Sequence, residues 1–277
     1  MDISCVIPVD GRSGYLERSL TTLLRQPVDD FGVEILVIDN SRTDELRSNV
    51  FAACQRAASD FPNDGSIALR YLAAEHPNPS HRNVSYPRNV GIRVARSPVV
   101  LFADADILHV SETLRQHLSH HRREDNALVY SYCRDCDPQI PLDPGQLRAA
   151  LSDANYSLRM AASTDWFGGM CFSVRRQRLI EVSGCEESFS RWGYEDYDLA
   201  RRMRKRGASI IRDDQIQTLH QVHPPQSAGG WLMKLYAGLR QSCAIQATNR
   251  GREWGAFKGR PIDLASSNQQ VRTAHAG

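Results

Sequence analysis

Val99-Val100-Leu101-Phe102-Ala103 runs straight into Asp104-Ala105-Asp106. Five apolar residues in succession read as a strand buried on both faces, the pattern of a parallel sheet. Both carboxylates then fall where the strand ends. Ligands of open α/β sheets collect at the carboxyl ends of the strands, and a hard divalent cation prefers oxygen donors. Asp104 and Asp106 therefore suit a cation that bridges to a phosphate-bearing substrate. An acidic turn would look the same locally, because Asp is common in turns, so the decision rests on the rest of the chain.

Upstream, strands and helices alternate. Ile3 to Val9 is an apolar run that stops at Pro8-Val9-Asp10-Gly11, and residues 15–24 have helical spacing. Val33-Glu34-Ile35-Leu36-Val37-Ile38-Asp39 is a second strand, 45–59 a helix, 68–72 a third strand, and 86–95 a helix that opens Tyr86-Pro87-Arg88-Asn89. That alternation predicts a parallel sheet with right-handed crossovers and helices on both faces. Asp10, Asp39, Asp104 and Asp106 then converge at strand ends, as in a nucleotide site. Asp39-Asn40-Ser41 alone would also serve as a turn or helix cap. Neither a Gly-x-Gly-x-x-Gly fingerprint nor a P-loop is present.

Downstream, residues 112–123 read as a helix whose His117, His120 and His121 suggest a solvated face. Further strands are read at 127–132 and 208–212, and helices at 146–151, 175–182 and 231–247, with a polar, frayed tail over the last twenty or so residues. Glu195-Asp196-Tyr197-Asp198 opens a helix, where the dipole favours acidic residues. Arg201, Arg202, Arg204, Lys205 and Arg206 read as its solvated end. The dipole does not ask for Trp192-Gly193 just before it, nor for Trp166 and Gly168-Gly169 upstream. Adjacent glycines let backbone approach a ligand, and an indole offers a flat face to a sugar ring. His220 and His223 follow the last strand. Each alone reads as a surface residue, but a His within reach of Asp106 would complete a mixed nitrogen and oxygen site suited to manganese.

Composition bounds these readings. The chain has 277 residues, 41% hydrophobic and 24% charged, with a net charge of +2, an ordinary globular balance that does not point to nucleic acid. No apolar run approaches the roughly 18 residues of a membrane span, and the N-terminus lacks a secretory pattern. The expected location is the cytoplasm, with peripheral membrane attachment left open. Seven cysteines are scattered, and Cys133-x-x-Cys136 lacks the second pair a zinc site requires, so reduced thiols are expected.

Together these segments resemble a GT-A fold, inverting family 2 glycosyltransferase. The residues that carry the resemblance are Val6-Ile7-Pro8-Val9, Val37-Ile38-Asp39-Asn40-Ser41, Arg88-Asn89-Val90-Gly91-Ile92, Asp104-Ala105-Asp106, Phe167-Gly168-Gly169 and Trp192-Gly193-Tyr194-Glu195-Asp196. The second half is similar to galactosyltransferases and polypeptide N-acetylgalactosaminyltransferases, and His220-Gln221 with Pro224-Pro225 to chondroitin-type polymerases. The resemblance covers about residues 3–225 and implies one catalytic domain over 1–225, with a nucleotide-binding half at about 1–108 and an acceptor half at 109–225. Residues 226–277 would be a C-terminal helix and tail.

The resemblance implies a role for each matching residue. Pro8, Val9, Asp10, Asp39, Arg88, Asn89, Asp104, Ala105 and Asp106 would bind the nucleotide sugar, with UDP the expected base. Asp106 and His220, with His223 as the alternative, would hold Mn2+ or Mg2+. Trp166, Gly168, Gly169, Trp192 and Gly193 would shape the sugar and acceptor site, with Glu195 beside the donor and Asp196 as general base. A hexose or N-acetylhexosamine would pass to a small molecule, peptide or glycan end. Tyr194 stands where galactosyltransferases carry Gly, and His223 competes with His220. Two other readings use the same carboxylates. One is a haloacid-dehalogenase-type phosphohydrolase with Asp104 as nucleophile, Asp106 as acid/base and Asp213-Asp214 on magnesium; the other is a non-catalytic sugar-nucleotide binder.

Overall fold

The computed structural model describes residues 1–61, 66–78, 83–110, 112–153, 155, 169–189, 195–223 and 253–264. Strands β1 (Ile3–Val9), β2 (Val33–Asp39), β3 (Ile67–Ala73) and β4 (Val99–Ala103) alternate with helices α1 (Ser13–Leu24), α2 (Asp44–Ser59) and α3 (Ser85–Val94). There follow β5 (Ile107–His109), α4 (Thr113–Arg123), β6 (Ala127–Cys136), α5 (Pro144–Ala150), β7 (Cys171–Arg175), α6 (Arg176–Glu181), α7 (Glu195–Lys205), β8 (Ser209–Gln221) and β9 (Ile262–Asp263). The strands form one sheet in the order β5-β8-β6-β7-β4-β1-β2-β3-β9.

The first four strands pair in parallel, β4 and β2 flanking β1 and β3 beside β2. Every residue of β1, β2 and β4 is buried, which is why these segments read as unbroken apolar runs. Glu34 is a buried charge inside the β2 run. Its carboxylate accepts from Ser4 Oγ at 2.6 Å and Arg96 N at 2.9 Å and pairs with the buried Arg70. Helix α3 lies close on β1 because Gly91 has no side chain: a β-carbon there would fall 2.2 Å from Val6 Cγ1.

The second half is mixed. β7 runs antiparallel to both β4 and β6, and β5 antiparallel to β8. β6 and β8 are parallel, their register slipping across a bulge between Ser131 and Tyr132. The three-residue β5 and most of the long, partly polar β8 went unread in the sequence. Helix α7 does open on Glu195, Asp196 and Asp198 and close on basic residues, as its dipole favours.

Three sequence expectations are corrected. His117 and His121 are not on a solvated face; both are fully buried and share Ser173 Oγ, at 2.8 Å from His117 Nδ1 and 2.7 Å from His121 Nε2. Arg202 is not merely solvated: it pairs with Asp198 at 2.7 Å and donates to the carbonyls of Val182 and Gly184. The tail is not all frayed. Residues 253–264 return to the fold, Ile262 pairs with Tyr71 across β9 and β3, and Leu264 enters the core.

Cys133 and Cys136 lie in different apolar clusters, and the described cysteines are free and buried. Among the described residues no helix is long and apolar enough to cross a membrane. The expected helix at 231–247 lies outside them.

Candidate active site

Because β1, β2 and β4 are parallel, their carboxyl ends share one edge of the sheet. Asp39 ends β2 fully buried; Tyr71 Oη donates to its Oδ2 at 2.7 Å and Ser41 N to its Oδ1 at 2.8 Å. Burial pushes its carboxyl up against these hydrogen bonds. Pro8 and Val9 are buried at the end of β1, and Asp10 is half-buried beyond them. Asn40 N donates to Val9 O, and Gly11 N to Ser41 Oγ, both at 2.8 Å, which ties the two strand ends together.

Beyond β4 the chain turns sharply. Ile107 N donates to Asp104 O at 3.2 Å, Ala105 is buried, and Asp106 O accepts from Gln221 N at 3.0 Å. Antiparallel pairing sets Ile107 opposite His220. Asp106 Oδ2 thereby lies 3.8 Å from His220 Nε2 and 3.1 Å from His223 Nε2. All three ligand atoms fall within 4.8 Å of one another. His220 and His223 need not compete, since both reach the carboxylate.

Two further observations bear on whether this trio fits a cation. Asp106 Oδ1 is buried with no hydrogen-bond partner. In addition, the parallel register of β6 and β8 puts Asp135 beside His220, with Oδ1 2.9 Å from Nδ1. A carboxylate only accepts, so His220 Nδ1 carries the proton, which in the neutral ring leaves the Nε2 lone pair toward Asp106. Burial opposes the charge on Asp106, but the neighbouring His223, His220 and Arg12 hold its carboxyl below the usual range. Two imidazoles and a carboxylate fit a divalent ion such as Mn2+.

Arg88 organises the neighbouring half of the site. Fully buried on α3, it packs near the Phe102 and Phe172 rings and donates to Gly169 O at 3.0 Å. Its guanidinium pairs with Asp104 at 3.2 Å and with Asp196 in the first turn of α7. A β-carbon on Gly169 would fall 2.0 Å from Asp196 Cγ, so this glycine makes room for the carboxylate. Glu195 is buried and accepts from Asn83 Nδ2 at 3.2 Å. Burial, against Arg88 and with neighbouring carboxylates, pushes Asp104 up to about 7. Burial and the adjacent Asp196 do the same to Glu195, also about 7.

Asn89 faces elsewhere. Its amide donates to Cys185 O and Glu187 Oε1 and accepts from Cys185 N, each at 2.7 Å. It braces the loop after α6. Trp166, Gly168, Trp192 and Gly193 lie outside the described residues. Sequence reasoning missed Arg12, Asn83 and Asp135, because only strand register and loop closure bring them to the site. Asp213 and Asp214, the magnesium ligands of the phosphohydrolase reading, are engaged by His120 at 2.7 Å and Arg212 at 2.5 Å.

A family model described as glycosyl transferase family 2 matches residues 4–183, and one described as N-terminal domain of galactosyltransferase matches 145–224. An uncharacterized glycosyltransferase, YfnE, of Bacillus subtilis is 23% identical over 81% of this chain and 66% of its own length. Validoxylamine A glucosyltransferase of Streptomyces hygroscopicus subsp. limoneus is 26% identical over 74% of this chain and 48% of its own. Among solved structures, mannosyltransferase PcManGT from Pyrobaculum calidifontis, in complex with GDP-Man and Mn2+, superposes with a TM-score of 0.61 at 21% identity. It covers 87% of this chain and 63% of that one. GalNAc-T7 with UDP, GalNAc and Mn2+ gives 0.57 at 14% identity, over 85% and 47%. The chain thus spans about half to two thirds of the length of these relatives. The fold is GT-A.

Proposed function

Because the chain belongs to glycosyl transferase family 2, we propose that it moves a hexose or N-acetylhexosamine from a nucleoside-diphosphate sugar to an acceptor hydroxyl, with inversion. The observation that carries this reading is the meeting of Asp106, His220 and His223 at the carboxyl edge of the sheet, two residues along the chain from the Asp104–Arg88–Asp196 arrangement. Asp106, His220 and His223 would hold Mn2+ or Mg2+. A bound cation there supplies Lewis-acid stabilisation of the departing diphosphate. Asp39, with Pro8, Val9 and Asp10, would receive the nucleotide at the ends of β1 and β2, and Asp104 the ribose or sugar.

Asp196 acts as the general base. Its side chain keeps 22% exposure, so an acceptor hydroxyl can reach it. Arg88 fixes its orientation, and the preceding Glu195 is buried. Taking the acceptor proton raises the nucleophilicity of the attacking oxygen, an effect of about 10²–10⁴ in rate. With the leaving group on the Asp106 side and the base on the Asp196 side, attack is in line and inverts the anomeric centre. UDP is the expected base of the donor, supported by the galactosyltransferase-like segment. The acceptor is a small molecule, peptide or glycan end.

Thermal unfolding with UDP, GDP and dTDP, each with and without Mn2+, tests the donor site. A ligand at about 100 times its Kd adds about 2.7 kcal/mol of stability. One nucleotide should raise Tm only with Mn2+ present, and Asp106→Asn should abolish the rise. No response to any nucleotide would remove the reading.

A further inference from the structure

The groups that would hold the cation are already engaged by a residue the proposed reaction does not use. Arg12, immediately before α1, directs one guanidinium nitrogen, Nη1, at both Asp106 Oδ2 and His223 Nε2, the latter at 2.7 Å. These are two of the three ligand atoms of the cluster. A guanidinium nitrogen only donates. His223 Nε2 must therefore present its lone pair to Arg12, the same lone pair a metal would take. Arg12 offers a positive charge to the carboxylate lone pair as well. Its position is that of a cation on a tether.

Resting on the cation reading above, we propose that Arg12 is a built-in competitor of the metal: it neutralises Asp106 when no metal is bound and must leave for a divalent cation to enter. Asp106 is 4% exposed, and a carboxylate that buried needs a countercharge. A guanidinium supplies it without the dehydration a free ion requires. The Arg12 side chain is 24% exposed, so it has an outlet toward solvent and can withdraw without the fold opening. Divalent-ion binding by this chain alone is then weaker than its ligand set would give, because every binding event breaks the Arg12 contacts.

The test uses Mn2+ alone, titrated into the metal-free full chain and followed by the electron paramagnetic resonance signal of the free ion. The proteins are wild type, Arg12→Gln, Arg12→Met, Asp106→Asn and Arg12→Gln/Asp106→Asn. Both Arg12 variants should bind Mn2+ at least about tenfold tighter than wild type, about 1.4 kcal/mol. Asp106→Asn should abolish binding in either background. In thermal unfolding, Mn2+ should raise the Tm of the Arg12 variants more than that of wild type. A residue that merely supports the loop would, when lost, weaken metal binding instead. Equal or weaker Mn2+ binding by the Arg12 variants, still lost in Asp106→Asn, overturns the role of Arg12 and leaves the metal site standing. Absence of binding in every folded protein overturns the site itself.

Discussion

Arg88 pairs with Asp196 across 108 residues of sequence, joining the third helix to the first turn of the seventh. The same guanidinium holds Asp104, so the end of β4 and the start of α7 are fixed relative to one another by a single buried cation. If Asp196 takes the acceptor proton, Asp196→Asn should lower kcat by about 10²–10⁴. The KM for donor should change little, since an amide still accepts from Arg88. Arg88→Met differs: it strips the countercharge from two carboxylates and should cost about 3 kcal/mol, read by urea unfolding. Initial rates at saturating donor separate the two cases.

Gly169→Ala probes the same carboxylate without touching its charge. The added methyl collides with the Asp196 carboxylate, which Arg88 holds in place. Overpacking costs about 1–3 kcal/mol, and a misplaced base of about 1 Å can cost 10²-fold. We expect a fall in kcat of that order in a protein that still folds, with a Tm lower by about 2–10 °C. Unchanged kcat would place Asp196 outside the reacting centre.

Asp135 acts through His220. Losing its hydrogen bond frees the imidazole to adopt the other tautomer, with its lone pair turned from Asp106. Asp135→Ala should weaken Mn2+ binding by about 10–100-fold, measured by the free-ion signal, while His223 keeps its contact with Asp106.

His109 has both ring nitrogens buried without a partner, and burial lowers its pKa to about 3. The unfolded chain protonates this group near pH 6.5 while the folded chain does not. Its contribution to stability is thus intact above about pH 6.5 and is lost as pH falls toward 3, by about 1.4 kcal/mol per pH unit. Asp104 and Glu195, held near 7, act with the opposite sign, so the total profile mixes the two. The difference between His109→Leu and wild type isolates the histidine. His109→Leu should gain relative stability steadily from pH 6.5 to 4.5 in urea unfolding. A constant difference would mean that His109 finds a proton-accepting partner.

The parallel half of the fold was legible because a strand covered on both faces has few polar residues: Ile3–Val9, Val33–Asp39 and Val99–Ala103 state their own burial. β8 is harder, since Arg212, Asp213, Asp214 and Gln215 interrupt it at a bulge, and β9 joins β3 from nearly two hundred residues away. His117 and His121 misled because the helical period marks a face but not whether that face is covered; here Ser173 supplies the polar partner that permits burial. At the site, Asp104 and Asp106 announced themselves by strand-end position, whereas His220, which lies inside β8, reads alone as a surface residue and is singled out by the family resemblance. Arg12 and Asp135 did not, since nothing local in their sequence shows which strand lies beside them. Asn89 is the expected neighbour of Arg88, yet its amide is spent on residues 185 and 187.

The most direct measurement is release of nucleoside diphosphate from UDP-, GDP- and dTDP-hexoses by wild type and Asp106→Asn, with Mn2+ or with EDTA. Slow hydrolysis, with water as acceptor, suffices. One donor should be cleaved with Mn2+ present, and either EDTA or Asp106→Asn should cut the rate by at least about 10²-fold, the scale of several kcal/mol that a Lewis acid supplies. Cleavage at the same rate in EDTA, or by Asp106→Asn, would contradict metal-assisted departure of the diphosphate at Asp106, His220 and His223.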